Sequence, residues 1–347
     1  VRVLIVRIGA MGDVLHAMPA VAALRERHPE WFIGWAIEPQ WSDLLQIAGD
    51  PSDLQQIEGR YDARAMVDRW YSVAAGAWKR RPLSHKTRTE IRGLRDVLRD
   101  EQFDVAVDMQ GAVKSAVVGW TAGATLFAGA AKPREWAARW LYRQTMDLTA
   151  VHVVEQGCEL LGAAVGEVLR PARVTLPMDE MDEQWAEEEA GHERFCLISP
   201  GGGWGAKIWP AERFGRVAAE LGRTGVRTVV NTSPKGSQEA ARVVEASEGY
   251  ARVMPCTVGQ LIALTRRAAV VIGGDTGPLH LAAALGRPVV GIYGPTDPAR
   301  NGPYGTRSRV LRDAGSLTSH KRVRDVEAGM LRIGVEEVLA AAMEMMG

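Results

Sequence analysis

Two short apolar runs, Ala268–Gly274 and Val289–Gly294, are separated by too few residues for anything but one short helix. Both runs are apolar on successive residues, the pattern of strands buried on both faces, which only a parallel sheet covered by helices provides. The intervening segment has clear ends. Asp275-Thr276-Gly277-Pro278 opens a helix, with Thr276 at the N-cap and Pro278 in the first turn, and Gly286 and Pro288 close it. A helix starting directly off a strand end presents backbone N–H groups to an anion, and His280 adds a further donor. The whole stretch to Gly305 therefore predicts a βαβ unit with a seat for a diphosphate.

The same alternation recurs in two series. In the first, strands at Val1–Arg7, Trp31–Ile37 and Asp104–Asp108 alternate with helices at Val14–Arg27 and from Lys114 to Trp120. In the second, Phe195–Ser199, Ala211–Leu221, Thr228–Asn231 and Gln238–Glu245 lead into the βαβ unit. At 347 residues the chain exceeds one ordinary α/β core. The expectation is two doubly wound domains with a ligand in the cleft between them. Between the series, residues 171–193 carry eight acids, part of them in an expected exposed helix, and the domain boundary falls there. A last helix, Val335–Met346, has Val335, Val338, Leu339 and Ala342 on one face and must pack on something.

The formal charge is zero, but its distribution is regional. Residues 79–99 carry eight Lys and Arg against Glu90 and Asp96, so a basic surface is expected in the first half. Hydrophobic residues make up 46% and charged residues 24%, the balance of a soluble globular protein. No run approaches the roughly 18 apolar residues of a membrane span, and the first residues read as a strand. Cys158, Cys196 and Cys256 have neither metal nor disulfide spacing, so a reducing cytoplasm is expected.

Two further loops follow strands. The first, Gly9-Ala10-Met11-Gly12-Asp13, resembles a dinucleotide turn with Glu38 after the next strand, but it lacks the third glycine. Asp13 also stands where a pyrophosphate would lie, and two anions there repel. Asp13 is left either as a helix cap or as a general base at the carboxyl end of the first strand. The second loop, Ser199 to Pro210, has Gly201, Gly202, Gly203 and Gly205, with Lys207 as a mobile positive charge and Pro210 entering the next helix. Its glycines let the backbone approach a ligand closely. No G-K-[ST] occurs, which excludes a P-loop.

These loops carry a resemblance. RIGAMGDVLHAMPAV, DMQGAVKSA from Asp108 to Ala116, PGGGWGAKIWP and GGDTGPLHLAAALGRPVVGIYGPTDP are similar to the lipopolysaccharide heptosyltransferases, glycosyltransferase family 9, in order and over most of the chain. The pattern around Lys86–Arg99, Asp108–Lys114 and His152–Glu155 lies nearest the heptosyltransferase I branch. The resemblance implies a GT-B fold. Residues 1–172 would bind the acceptor, 173–193 link, 194–334 bind the nucleotide-sugar, and helix 335–347 cross back to the first domain.

It also implies roles. ADP-heptose would place its diphosphate at Asp275, Thr276 and Gly277, with Gly202, Gly203, Lys207 and His280 around it. Asp275 itself would cap backbone or bond neighbouring groups. Asp13 would deprotonate a Kdo hydroxyl of Kdo-lipid A, and Lys207 would stabilise the leaving ADP, with inversion and without metal or other cofactor. No D-x-D string is present to hold a metal. Gly12, Lys86, Arg88, Arg92, Gln110 and Arg134 would face the phosphorylated glycolipid, at the cytoplasmic side of the inner membrane and peripheral to it. Trp136, Trp140 and Arg143 are expected along one helical face, suited to a membrane interface. A nucleic acid partner is not expected.

The chain departs from the branch at Gly202 and Gly203, where threonines are expected, and at Thr232–Ser237, which lacks the acid expected near the ribose, although Glu239 is close in sequence. Another nucleotide-sugar donor, a non-catalytic binding module and an NAD-dependent oxidoreductase built on the first βαβ unit are the alternatives.

Overall fold

The computed structural model describes residues 1–45, 65–81, 83–319 and 323–347. The chain divides into two compact units, Val1–Thr175 and Leu176–Gly347. The first is built from β1 (Arg2–Val6), α1 (Met11–Arg27), β2 (Phe32–Ile37), β3 (Arg69–Ser72), α2 (Ala75–Arg80), α3 (His85–Asp100), β4 (Val105–Asp108), α4 (Val113–Thr121), β5 (Leu126–Ala130), β6 (Gln144–Met146) and α5 (Val153–Val165). Its six strands run in the order β3-β2-β1-β4-β5-β6, all parallel. Successive apolar residues of β1, β2 and β4 are buried because helices cover the sheet, α1 packing with α5 and α3 with α4.

The second unit contains α6 (Glu180–Ala190), β7 (Phe195–Ser199), α7 (Ala211–Arg223), β8 (Arg227–Thr232), α8 (Gln238–Glu245), β9 (Ala251–Pro255), α9 (Val258–Arg267), β10 (Val270–Gly274), α10 (Gly277–Ala284), β11 (Val289–Tyr293), α11 (Pro298–Asn301), β12 (Ser308–Arg312), α12 (Ala328–Arg332) and α13 (Val335–Met346). Its parallel sheet runs β12-β11-β10-β7-β8-β9, the same order as the first when read from the other edge. Each chain segment therefore reverses direction once across its sheet. The switch point lies between β1 and β4 in the first unit and between β7 and β10 in the second. Loops leaving the carboxyl ends of those paired strands diverge to opposite sides and open a crevice for a ligand.

Three segments need particular description. α1 begins at Met11, not Val14, because Ala10 is already extended and Met11 can start the turn; Asp13 thus sits inside the first turn. The acid-rich stretch is no linker from Leu176 onward. α6 forms as an exposed helix but packs on α9, where Arg266 pairs with Glu183 and donates to the Leu176 carbonyl at 2.9 Å, and Arg267 meets Glu187 at 3.2 Å. Glu183, Glu187 and Glu189 thus pair with arginines of their own unit. Finally, α13 packs within the second unit, against α7 and β11. Val338 and Ala342 are fully buried in a core shared with Trp209, Phe214 and Val217. Trp209 fixes that corner through Nε1 to the Ile333 carbonyl at 3.2 Å and an edge-on contact with Phe214.

Candidate functional site

At the first switch point, β1 runs through Arg7 and Ile8 into α1. Asp13, third residue of the helix, accepts the Ala10 N–H at Oδ2 (3.3 Å), a carboxylate satisfying one of the unpaired amides of the first turn. The cap reading is thus realised, though by a long bond. Asp13 also pairs at Oδ1 with Arg7 Nη2, 2.9 Å away, and its side chain keeps 31% exposure. A carboxylate has about four acceptor positions, so two donors do not saturate it.

Arg7 escaped the reading of the sequence. It donates through Nε to the Asp13 carbonyl (3.0 Å) and through Nη1 to the Met109 carbonyl after β4, so one guanidinium ties both loops of the crevice. The signal was a cation ending the otherwise apolar run VLIV. Asp108, at the end of β4, is buried and accepts from Gln110 N (2.9 Å), Gly111 N (3.1 Å), Ser115 Oγ (3.1 Å) and Tyr142 Oη (2.7 Å). Burial pushes its carboxyl up against the pull of those donors.

The residues expected at the acceptor divide. Gly12 is half-buried in the first turn of α1. Gln110 is buried, and its side-chain oxygen accepts the Ile8 N–H at 2.9 Å, so it braces β1 against β4. Arg134 is exposed, and its backbone passes so close to Gly111 that a Cβ there would stand 3.0 Å from Arg134 N. Lys86, Arg88 and Arg92 are exposed on α3 but do not converge. Arg88 and Arg92 share a face, whereas Lys86 is about 160° around the helix from Arg88, and it reaches Glu90 at 3.8 Å. Trp136 and Trp140 are exposed on a six-residue 3-10 helix, Trp136–Leu141, with Arg143 beyond its end. At three residues per turn, positions four apart do not eclipse, so the expected single face is not formed.

At the second switch point, Lys207 leaves the β7 loop and Asp275 follows β10. Lys207 is not a mobile, solvated charge. Its side chain is 11% exposed, its Nζ donates to Asp275 Oδ2, and it lies over the Trp204 ring, 4.3 Å from the centroid. His280 Nε2 meets the other oxygen, Oδ1, at 2.9 Å. Burial alone would raise the Asp275 carboxyl, but His280 and Lys207 outweigh it and hold the group well below the usual carboxylate range. Asp275 thus bonds neighbouring side chains and does not cap the helix. Thr276 occupies the N-cap position of α10 but supplies no side-chain cap; its hydroxyl donates to the Gly274 carbonyl at 3.3 Å. A helix N-terminus beside a fixed ammonium suits an anion.

Gly273 and Gly274 are required here by proximity. A Cβ at Gly273 would stand 3.1 Å from Ser199 O, and one at Gly274 3.0 Å from Lys207 O. Gly202 and Gly203 are exposed in the same loop and bring only backbone. Trp204, the platform under Lys207, was also missed; an aromatic set among glycines was its only trace in the sequence.

Two Rossmann-like units in tandem, each with charged side chains at its switch point, define an α/β protein of the GT-B type. The model of glycosyltransferase family 9 (heptosyltransferase) matches residues 91–329. Lipopolysaccharide heptosyltransferase 1 of Escherichia coli K12 is 28% identical over 90% of this chain and 93% of its own. Among solved structures, E. coli heptosyltransferase WaaC with ADP superposes with a TM-score of 0.77 at 25% identity, covering 99% of this chain and 100% of its own. The same enzyme with ADP-2-deoxy-2-fluoro heptose gives 0.73 at 25% identity, over 99% of each chain. The chain belongs to glycosyltransferase family 9 and is a heptosyl-transferring enzyme, which removes the oxidoreductase and the non-catalytic module from consideration.

Proposed function

We propose that this enzyme transfers L-glycero-D-manno-heptose from ADP-heptose to a Kdo sugar of Kdo-lipid A, with inversion, in lipopolysaccharide inner-core synthesis. Support comes from the relatives' activities and from the two clusters. The observation that carries the reading is Asp13: a partly exposed carboxylate at the first switch point, oriented by Arg7. In this reading Asp13 takes the proton of the acceptor hydroxyl as its oxygen attacks the anomeric carbon. The bond from that carbon to the diphosphate oxygen breaks, and ADP leaves. Lys207 and the first amides of α10 receive the charge growing on ADP, so no metal is assigned to the step. His280 and Asp275 hold Lys207 in place, Gly202, Gly203, Thr276 and Gly277 border the diphosphate, and Arg88, Arg92 and Arg134 face the acceptor's anionic groups. The acceptor places the enzyme at the cytoplasmic face of the inner membrane.

Asp13→Asn is the test, because the amide oxygen still accepts the Ala10 N–H while the base is lost. Turnover of Kdo-lipid A should fall by about 10²–10⁴-fold with the melting temperature nearly unchanged. Turnover near the wild-type rate would leave Asp13 as a cap alone. The bare backbone at Gly202 and Gly203 favours one second reading, a different nucleotide-sugar. A melting-temperature panel of ADP, UDP, GDP and ADP-heptose separates the two, since stabilisation follows RT ln(1 + [L]/Kd).

A further inference from the structure

The outward face of α4 is apolar. Val113, Val117 and Trp120, at i, i+4 and i+7, form one stripe and are 39%, 43% and 57% exposed, while Ser115, Ala116, Val118 and Gly119 fill the buried side. A surface helix ordinarily places polar residues there. The 3-10 helix that packs on α4 adds Trp136 and Trp140, 61% and 77% exposed. Of the eleven tryptophans in the chain, these three are the ones exposed, and all belong to this pair of elements. Scattered apolar side chains on a surface need no explanation, but concentration of every exposed indole in one place does.

The charge around the patch identifies its partner. Residues 112–146 carry Lys114, Lys132, Arg134, Arg139 and Arg143 against Glu135 alone. The Glu135 carboxylate is already engaged, accepting the Val113 N–H at 2.7 Å. Arg139 lies over the Trp136 ring, 5.4 Å from its centroid. From the neighbouring α3, Arg99 donates to the Thr121 carbonyl at 3.2 Å, which carries the arginine stripe of α3 to the end of the apolar one. Indoles with an apolar body and a polar N–H, rimmed by cations, complement an interface of acyl chains below anionic headgroups. A second protein copy would place this cationic rim against itself.

We propose that the α4 stripe and Trp136–Leu141 form a docking surface for an anionic phospholipid bilayer. The proposal deepens the glycolipid-acceptor reading and rests on it for the bilayer as the place of encounter. It adds a binding surface whose ligand is the bilayer itself, apart from lipid A.

The test uses the full chain with phosphatidylglycerol–phosphatidylethanolamine vesicles, without lipid A or nucleotide, so its outcome is separate from that of the transfer assay. The protein should co-sediment, weakly at high salt and on phosphatidylcholine alone, and brominated lipid should quench its tryptophan fluorescence. The triple variant W120S/W136S/W140S should raise the vesicle dissociation constant by more than about 10-fold at unchanged melting temperature. Val117→Asp, a single change on the outward stripe, should act in the same direction. Failure of the wild type to bind, or equal binding by the triple variant, overturns the proposal. So does a wild-type dimer that ignores vesicles and is lost in the variant, which would make this face an interface between copies.

Discussion

Arg7 Nη2 lies 2.9 Å from Asp13 Oδ1, and the same guanidinium donates through Nε to the Asp13 carbonyl at 3.0 Å. One side chain thereby holds both the backbone and the carboxylate of the proposed base. Its third contact, to the Met109 carbonyl, anchors it on the neighbouring strand end. Arg7 is a positioning residue in this arrangement, acting through Asp13.

Arg7→Gln should therefore lower kcat by about 10- to 100-fold, since a misplaced reacting group costs on that order. The KM for the donor should stay at its wild-type value, because Arg7 belongs to a different unit from the proposed donor cluster. Arg7→Lys should recover part of the rate, as an ammonium supplies charge without the planar fork. Steady-state kinetics on the three proteins check this. A donor KM that rises while kcat holds would remove Arg7 from the support of Asp13.

Asp275 makes a prediction about acid stability. Its carboxyl is held below the ordinary range by His280 and Lys207 in spite of burial. A depressed folded-state value means the contribution is fully present above the unfolded value of about 4 and is lost as pH falls below it. Asp275→Asn leaves the Lys207 ammonium, 11% exposed, without its counter-charge. Breaking such a buried pair costs about 3 kcal/mol. The gap in melting temperature between wild type and variant should be present at about pH 5 and shrink in more acid solution. A gap that widens on acidification would reverse the assignment.

The fold was legible because its signals are local and repeated. The apolar runs at Phe195–Ser199 and Val289–Tyr293 are continuous, and Gly and Pro bracket the helix between β10 and β11, so register errors had little room. The seats of Asp13, Lys207 and Asp275 were legible for the same reason, since each follows a strand end. What connects them was not. Arg7 reaches Met109 across 102 positions of sequence, and Lys207 reaches Asp275 across 68, pairings that exist only once strands β1 and β4, or β7 and β10, lie side by side. Spacing also misled wherever helix type mattered: Trp136 and Trp140 share a face at 3.6 residues per turn and lose it at three. The place of α13 within its own unit is likewise set by the volume between α7 and β11, which no local pattern reveals.

Gly205 offers a test of the proposed donor loop that touches no polar group. A Cβ there would overlap the Arg324 carbonyl, while Ala206 N donates to Val323 O at 3.3 Å and Glu327 N to Ala206 O at 3.4 Å. The loop bearing Lys207 is thus pinned against residues 323–327 at a spacing only glycine allows. Gly205→Ala must move one backbone or the other, at about 1–3 kcal/mol for such overpacking. Gly203→Ala is the control, because its Cβ would meet nothing within 4 Å. Gly205→Ala should lower the melting temperature and weaken the stabilisation by ADP together, since displacing the loop displaces Lys207 from Asp275 and the start of α10. Gly203→Ala should leave the melting temperature alone. Differential scanning calorimetry with and without ADP reads both quantities. If Gly205→Ala loses stability but keeps the full ADP shift, the loop's packing and the donor site are separate, and Lys207 is held by Asp275 and His280 without help from the backbone beneath it.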